Sequence, residues 1–267
     1  MKILVLIKQV PATDNVKWDE KSGTMIREGV EAELNPLDLY AVEEAVRLKE
    51  KLGPDGVEVC VISMGPQMAV DAIKSAIALG CDKGYLLSDR KFAGADTWAT
   101  SYTLSIGIKA IENHFDIILC GERATDGETG QVGPCTGAFL GIPVLTYVSK
   151  IVEIGNGNII AHRAIEGGHE VVEAPTPVLV SVVKEINEPR MPTLRGKIKA
   201  KNTEIPILSA ADISADEDSI GAKGSPTRVV KTFHPQLARK GDLAFIADGL
   251  ENAVDRLIEF LTKIATI

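Results

Sequence analysis

One pattern constrains the fold of this chain more than any other. Before residue 141, a short run of consecutive apolar residues is followed by a loop and then by helix-spaced apolar residues, and this happens four times. The runs are Lys2 to Lys8, Val57 to Met64, Gly84 to Leu87 and Asp116 to Cys120. Runs this short and this continuous belong to strands covered on both faces. The first helical stripe, behind Asp38 as a capping residue, is Val42, Ala45, Val46, Leu48 and Leu52; the second, behind Pro66, is Met68, Ala69, Ala72, Ile73, Ala76 and Leu79. A third helix is predicted from an Asp96 cap to about Glu112, and a fourth from Gln131 onward. Parallel strands need crossover helices between them, so the alternation predicts an α/β fold with a doubly wound, mostly parallel, Rossmann-like sheet. Ligands of such sheets lie beyond the carboxyl ends of the strands. The loops Val10 to Val16, Ser63 to Pro66, Asp89 to Thr97 and Glu122 to Thr136 are therefore expected to converge.

The last of these loops carries the densest chemical signal. Gly121 to Gly137 reads GERATDGETGQVGPCTG, with Gly127, Gly130 and Gly133 able to admit a phosphate close to the backbone. Thr125, Thr129 and Thr136 add hydroxyl donors near the positive end of a helix. The spacing is GxxGxxG, neither the GxGxxG dinucleotide fingerprint nor the GxxxxGK[ST] P-loop, so it fits a phosphate loop and an ordinary strand-to-helix turn alike. Asp96, Asp126 and Glu128 occupy loop or cap positions where helix capping and solvation are the commoner roles. Trp98 could stack on a ring, although a first-turn tryptophan is more often partial core. His114, His162, His169 and His234 form no HExxH and no Cys/His ligand spacing, and there is no GxSxG, so no metal site and no catalytic side chain is expected. Any chemistry would belong to a bound nucleotide cofactor.

Outside these units the pattern changes. Gln9 to Glu33 reads as a long loop over the ligand, with a small hairpin around Gly23 and Gly29. After Pro143 comes a β-meander insertion, Val144 to Ile154, Ile159 to Ile165 and Glu170 to Glu173, then a buried strand from Pro177 to Val183. Asn187 to Asn202, with Arg190, Arg195, Lys197, Lys199 and Lys201, is expected to be an irregular exposed loop. Ser214 to Ser219 reads as an acidic linker, Gly221 to Lys240 as an extended arm and Ile246 to Ile264 as a helix with Leu250, Val254, Leu257, Leu261 and Ile264 in its stripe. The expected division is residues 1–212 for the nucleotide-binding domain and 213–267 for the arm and helix, which would pack on another subunit. A net charge of −8 with no run of five basic residues argues against a nucleic-acid surface. No 18-residue apolar run is present and the apolar start is too short for a signal peptide, so membrane insertion is not expected and a cytoplasmic location is. Cys60, Cys81, Cys120 and Cys135 are isolated in the sequence and read as reduced structural thiols.

The run Ala161 to Ser181, AHRAIEGGHEVVEAPTPVLVS, resembles the signature of the electron-transfer flavoprotein beta subunit. The matching positions are Ala161, Arg163, Glu166-Gly167-Gly168, Glu170, Val172, Pro177, Leu179-Val180 and Ser181. The similarity extends to IKQV at Ile7, NPLDLYAVEEAVRLKE at Asn35, SMGP at Ser63, the glycine loop and NEPRMPTLRGKIKAKN at Asn187, which together span nearly the whole chain. The resemblance implies an adenine-nucleotide-binding redox subunit, active only within a flavoprotein–dehydrogenase complex and paired with an alpha subunit that holds an electron-shuttling FAD. Beta subunits of the housekeeping type keep AMP in the pocket, whereas those of the electron-bifurcating type hold a second FAD. KFAGADTWATS at Lys91, TDGETGQVGP at Thr125 and KGSPTRVVKTF at Lys223 resemble the bifurcating type. That type implies NADH as hydride donor, with one electron passing through the alpha-subunit FAD to a flavin dehydrogenase and the other to ferredoxin.

Carried over by residue, the resemblance implies a pocket made of Leu6, Asn35, Leu37, Asp38, Ser63 and Met64, with Ala93, Gly94, Ala95, Asp96, Thr97 and Thr100 toward the flavin. The glycine loop adds Thr125, Gly133 and Pro134 to the pocket, and Asp126, Gly127, Thr129, Gly130, Gln131, Val132 and Thr136 would hold the phosphates and ribose. Leu194 falls where the family carries its dehydrogenase-docking leucine, beside Arg195, and the neighbouring residues depart from the usual family sequence. From the residues alone, a non-redox adenine-nucleotide-binding protein of the same architecture remains open.

Overall fold

The computed structural model describes residues 1–12, 17–18, 25–26, 31–112, 114–230 and 249–264. Gly23, Gly29, the arm beyond residue 230 and the expected helix start at 246–248 lie outside the described residues. The contacts divide the chain into two units, Met1–Lys231 and Thr232–Ile267. In the first unit, β1 (Lys2–Leu6) is followed by the short strands β2 (Gln9–Pro11), β3 (Lys17–Trp18), β4 (Met25–Ile26) and β5 (Ala32–Leu34). Then come α1 (Pro36–Leu52), β6 (Glu58–Met64), α2 (Val70–Leu79), β7 (Lys83–Leu87), α3 (Thr97–Ile111), β8 (Ile117–Gly121) and α4 (Val132–Leu140). The chain continues through β9 (Val144–Gly155), β10 (Asn158–Ile165), β11 (Gly168–Pro175), β12 (Val178–Val182), α5 (Leu194–Asn202) and β13 (Ile207–Leu208).

Nine strands form one sheet in the order β11-β10-β9-β12-β8-β1-β6-β7-β13. From β9 to β13 every pairing is parallel, and β9, β10 and β11 extend the sheet as an antiparallel meander. The fold is thus the mostly parallel α/β sheet that the alternating pattern predicts. The strands alternate their burial cleanly. Ile3, Val5, Val59, Val61, Ile117 and Leu119 face one core with α1, α2 and α5, while Leu4, Leu6, Cys60, Ile62 and Ile118 face a second core with α3 and α4. Both faces of the parallel strands are covered, which is why they read as unbroken apolar runs.

Three expectations need correction. Asp38 does not cap α1: the helix starts at Pro36 behind Asn35, and the Asp38 carboxylate reaches out to neighbouring strand ends instead. Asn187 to Asn202 is not an irregular loop throughout, because Thr193 accepts a bond from the Gly196 amide and starts α5. The acidic stretch expected as a linker is built of turns and returns to the sheet. Ala210, Ile213 and Ile220 are buried in the second core, so the contact boundary falls after Lys231. In the second unit the described residues form α6 (Leu250–Ile264), whose Leu250, Val254, Leu257 and Leu261 are exposed. No helix among the described residues is long and apolar enough to cross a membrane.

Candidate functional site

Strand order reverses between β1 and β8: from β1 the chain goes first to β6 and β7 on one side, and then to β8 on the other. The crevice at this switch point, beyond the carboxyl ends, is the place where a doubly wound sheet takes its ligand. The chain after β1 and the glycine loop after β8 form its two walls. One carboxylate joins them. Asp38 Oδ2 accepts from the Lys8 amide at 2.8 Å, and Oδ1 accepts from the Gly121 amide at 3.2 Å. Burial pushes this carboxyl up to about 7, against the pull of the bonds from Lys8, Asn35 and Gly121.

Asn35 fastens the loop from the same helix start. Its side-chain amide donates to the Arg123 carbonyl at 2.9 Å, and its oxygen accepts from the Thr125 amide at 3.2 Å. Lys8, just past β1, pairs through Nζ with Asp126 at 2.5 Å and sets a cation beside the loop. Sequence reasoning missed this residue, because a lone lysine ending an apolar run reads as the solvated end of a strand.

The loop itself is open where a phosphate would need it to be. A Cβ on Gly127 would meet nothing nearer than Lys8 Nζ at 3.9 Å, and Gly130 has φ +63°, which glycine adopts without strain. Helix α4 begins with no side-chain cap, so the amides of Val132 and Gly133 have no acceptor within the helix, and Pro134 at the third position has no N–H to satisfy. An uncapped helix start at the end of a glycine loop favours an anion. Across the crevice Thr97 Oγ1 lies 3.3 Å from Thr129 Oγ1, which brings the loop after β7 to the glycine loop. At the end of β6, beside Met64, the fully buried Ser63 hydroxyl has no hydrogen-bond partner among the described residues.

The structure brings Leu6, Asn35, Leu37, Asp38, Ser63, Met64, Thr97 and residues 125–132 to the carboxyl edge of the sheet. Two expected residues face elsewhere. The Thr136 side chain is fully buried and donates to the Val132 carbonyl at 2.7 Å, so its hydroxyl serves its own helix and not a phosphate. The Cα of Gly133 packs on β8, since a Cβ there would stand 2.5 Å from Cys120 Sγ. Ala93, Gly94, Ala95 and Asp96 form the turn before α3, and Thr100 lies in its first turn. Leu194 and Arg195 are distant in the fold, on α5, where Leu194 is 77% exposed. A separate cavity lined by Met1, Lys2, Lys49, Asp55, Glu58 and Asp82 lies at the opposite, amino-terminal edge. There Lys49 pairs with Asp82 at 2.5 Å and Lys2 with Glu112 at 2.5 Å. Among the described residues no cluster of side chains could hold a metal ion.

Comparison with known proteins bears on what this edge holds. The family described as the electron transfer flavoprotein domain matches residues 22–213. The chain is similar to the electron transfer flavoprotein subunit beta of Thermoanaerobacterium thermosaccharolyticum, 49% identical over 261 residues, or 96% of this chain and 98% of that one. It is similar to CarD of the caffeyl-CoA reductase-Etf complex of Acetobacterium woodii, 44% identical over 243 residues and 91% of each chain. It is also similar to the protein FixA of Azorhizobium caulinodans, 37% identical over 270 residues, covering 98% of this chain and 94% of that one.

Proposed function

Because this chain belongs to the electron transfer flavoprotein family, with beta subunits among its relatives, we propose that its switch-point crevice holds an FAD reduced by NADH and that it splits the electrons between two acceptors. Electron transfer beside an alpha subunit is the role of the family; the FAD, NADH and ferredoxin are our own reading. One observation carries it. The three segments whose sequence resembles the bifurcating type lie far apart in the chain and meet at one place. Thr97 lies against Thr129, and Asp96 is bonded to Ser225 and Thr227. The similarity to CarD of a caffeyl-CoA reductase-Etf complex supports the same reading, with a flavin dehydrogenase as one acceptor.

The residues present fit such a group. A dinucleotide brings anionic phosphates, which suit the uncapped start of α4 and the open glycine backbone, and polar atoms for the orphaned Ser63 hydroxyl. When bound, FAD would supply the hydride acceptance from NADH and the division of its electrons toward an alpha-subunit FAD and ferredoxin. The chain's own residues position and shield. Asn35 and Asp38 lock the two walls at fixed spacing, so the loop needs little reordering when a ligand arrives. Thr97 and Thr129 offer hydroxyls across the crevice, and the Lys8 ammonium, paired with Asp126, lies beside the Gly127 backbone. On α5, exposed Leu194 and Arg195 form the face that would meet the dehydrogenase.

The test is a count. The complex purified with its alpha subunit should release two FAD per heterodimer and bleach on addition of NADH under anaerobic conditions. One FAD plus one AMP would replace this reading with a simple shuttle, and a pocket containing only a nucleotide without flavin would remove the redox role.

A further inference from the structure

Asp96 belongs to the expected cofactor set, yet in the structure its backbone amide and both carboxylate oxygens are taken up by the chain itself. Oδ1 accepts from the Ala99 amide at 3.0 Å and so caps α3. Oδ2 accepts from Thr227 twice, from the amide at 2.9 Å and the hydroxyl at 2.7 Å. The Asp96 amide donates to Ser225 Oγ at 2.8 Å, and that hydroxyl donates in turn to the Gly221 carbonyl at 2.7 Å. Beside it the Ala222 amide donates to the Ala93 carbonyl at 3.0 Å, and Lys91 pairs with Glu217 at 2.5 Å. The bonds from Ala99 and Thr227 outweigh partial burial and hold this carboxyl below the usual carboxylate range.

We propose that Asp96 is a positioning residue that latches residues 221–227, the segment leading toward the second unit, onto the loop that faces the nucleotide crevice. The inference rests on the reading of that crevice as a nucleotide site. The next residue, Thr97, touches Thr129 of the glycine loop, so an unbroken chain of contacts runs from Thr227 through Asp96 to the phosphate cradle. A ligand that orders the cradle should tighten the latch, and by thermodynamic reciprocity a released latch should weaken the ligand by the same factor.

Asp96→Asn separates the two jobs of the residue. Its remaining oxygen can still cap α3, since asparagine is as good a cap as aspartate, but its amide nitrogen would face the Thr227 donors and break the latch. Thr227→Val removes the hydroxyl from the other side. Hydrogen exchange of residues 223–230 is followed in the full complex, first stripped of nucleotide and then supplied with FAD or AMP. In the wild type, nucleotide should slow exchange there about tenfold, and both variants should lose that response and bind the nucleotide about tenfold more weakly. Exchange within α3 should stay unchanged, which a general loss of folding would not allow. Nucleotide binding that leaves exchange at 223–230 unaltered in the wild type, or Asp96→Asn binding as tightly as wild type, would overturn the latch while leaving the nucleotide site standing. Failure of both FAD and AMP to bind the wild type would remove the site and the latch together.

Discussion

At the scale of single residues, Asp38 is the most consequential side chain in the crevice, and its chemistry was only half legible. The sequence marks it as a helix-start carboxylate, which is a capping residue far more often than anything else. Nothing in a linear sequence says that the ends of β1 and β8 will arrive together beside it, because that adjacency follows from strand order. Its raised titration gives a signed prediction. In the unfolded chain the group titrates near 3.8, and burial moves it to about 7 in the fold. Between pH 4 and 7 the folded chain therefore holds a proton that the unfolded chain has released. This group makes stability rise as pH falls through that window and contributes least above pH 7. Asp38→Asn abolishes the titration, so the wild-type minus variant difference in urea unfolding free energy should grow on acidification by at most about 1.4 kcal/mol per pH unit. A difference that stays flat from pH 7 to pH 5 would mean that the two backbone donors keep the carboxylate ionised throughout. Lys8 was illegible for a related reason, since only the fold places its ammonium beside Asp126.

At the scale of elements, helices and strands with strong periodicity read directly from the sequence, and α5 did not. Its Leu194, Ile198 and Ala200 are too few among lysines to form a stripe, and the readable signal was Thr193, a capping residue three positions before Gly196. The basic composition of this stretch also misleads. Arg190 is not a free surface charge: it donates to Glu43 at 2.8 Å and to Glu50 at 2.6 Å, with both nitrogens of its fork engaged, and is raised above its ordinary titration by those two carboxylates. Asn187 adds bonds to Glu44 and to the Tyr40 carbonyl. The segment before α5 is thus strapped to α1, the same helix whose start locks the glycine loop. Arg190→Met leaves the buried Glu43 carboxylate without its cation and should cost about 1–3 kcal/mol in chemical unfolding. Adding Glu43→Gln should restore part of that loss, and a strictly additive double mutant would show that the pair does not anchor the strap.

For the whole molecule, the class of fold followed from covered strands alternating with amphipathic helices, whereas the sheet order did not, because periodicity carries no information on which strands become neighbours. Near the carboxyl terminus Ser214 to Ser219 reads as a solvated linker, but Ile213 and Ile220 on either side are buried and pull it onto the second core. A cut at Ser219 would sever that anchor and the Asp96 latch with it. A stop after Lys231 should instead leave the first unit folded, its melting temperature within about 4 °C of the full chain. The same truncation should abolish co-purification with the alpha subunit, if the exposed Leu250, Val254, Leu257 and Leu261 stripe of α6 is what that subunit covers. Retention of the alpha subunit by the truncated chain would move the interface to the first unit.

The latch also fixes when the crevice can be completed during synthesis. Its first wall, at β1, leaves the ribosome among the earliest residues, yet β1 stays bare on one flank until β6 is made and on the other until β8 is made. β8 in turn waits for β12, and the loop before α3 is not held until Ser225 and Thr227 have emerged. Domains fold as units while their chains are being made. A nascent chain can thus assemble most of its sheet around a cradle that is still unfinished, so loading of the proposed cofactor belongs after Ser225 and Thr227 have emerged and closed onto the loop before α3.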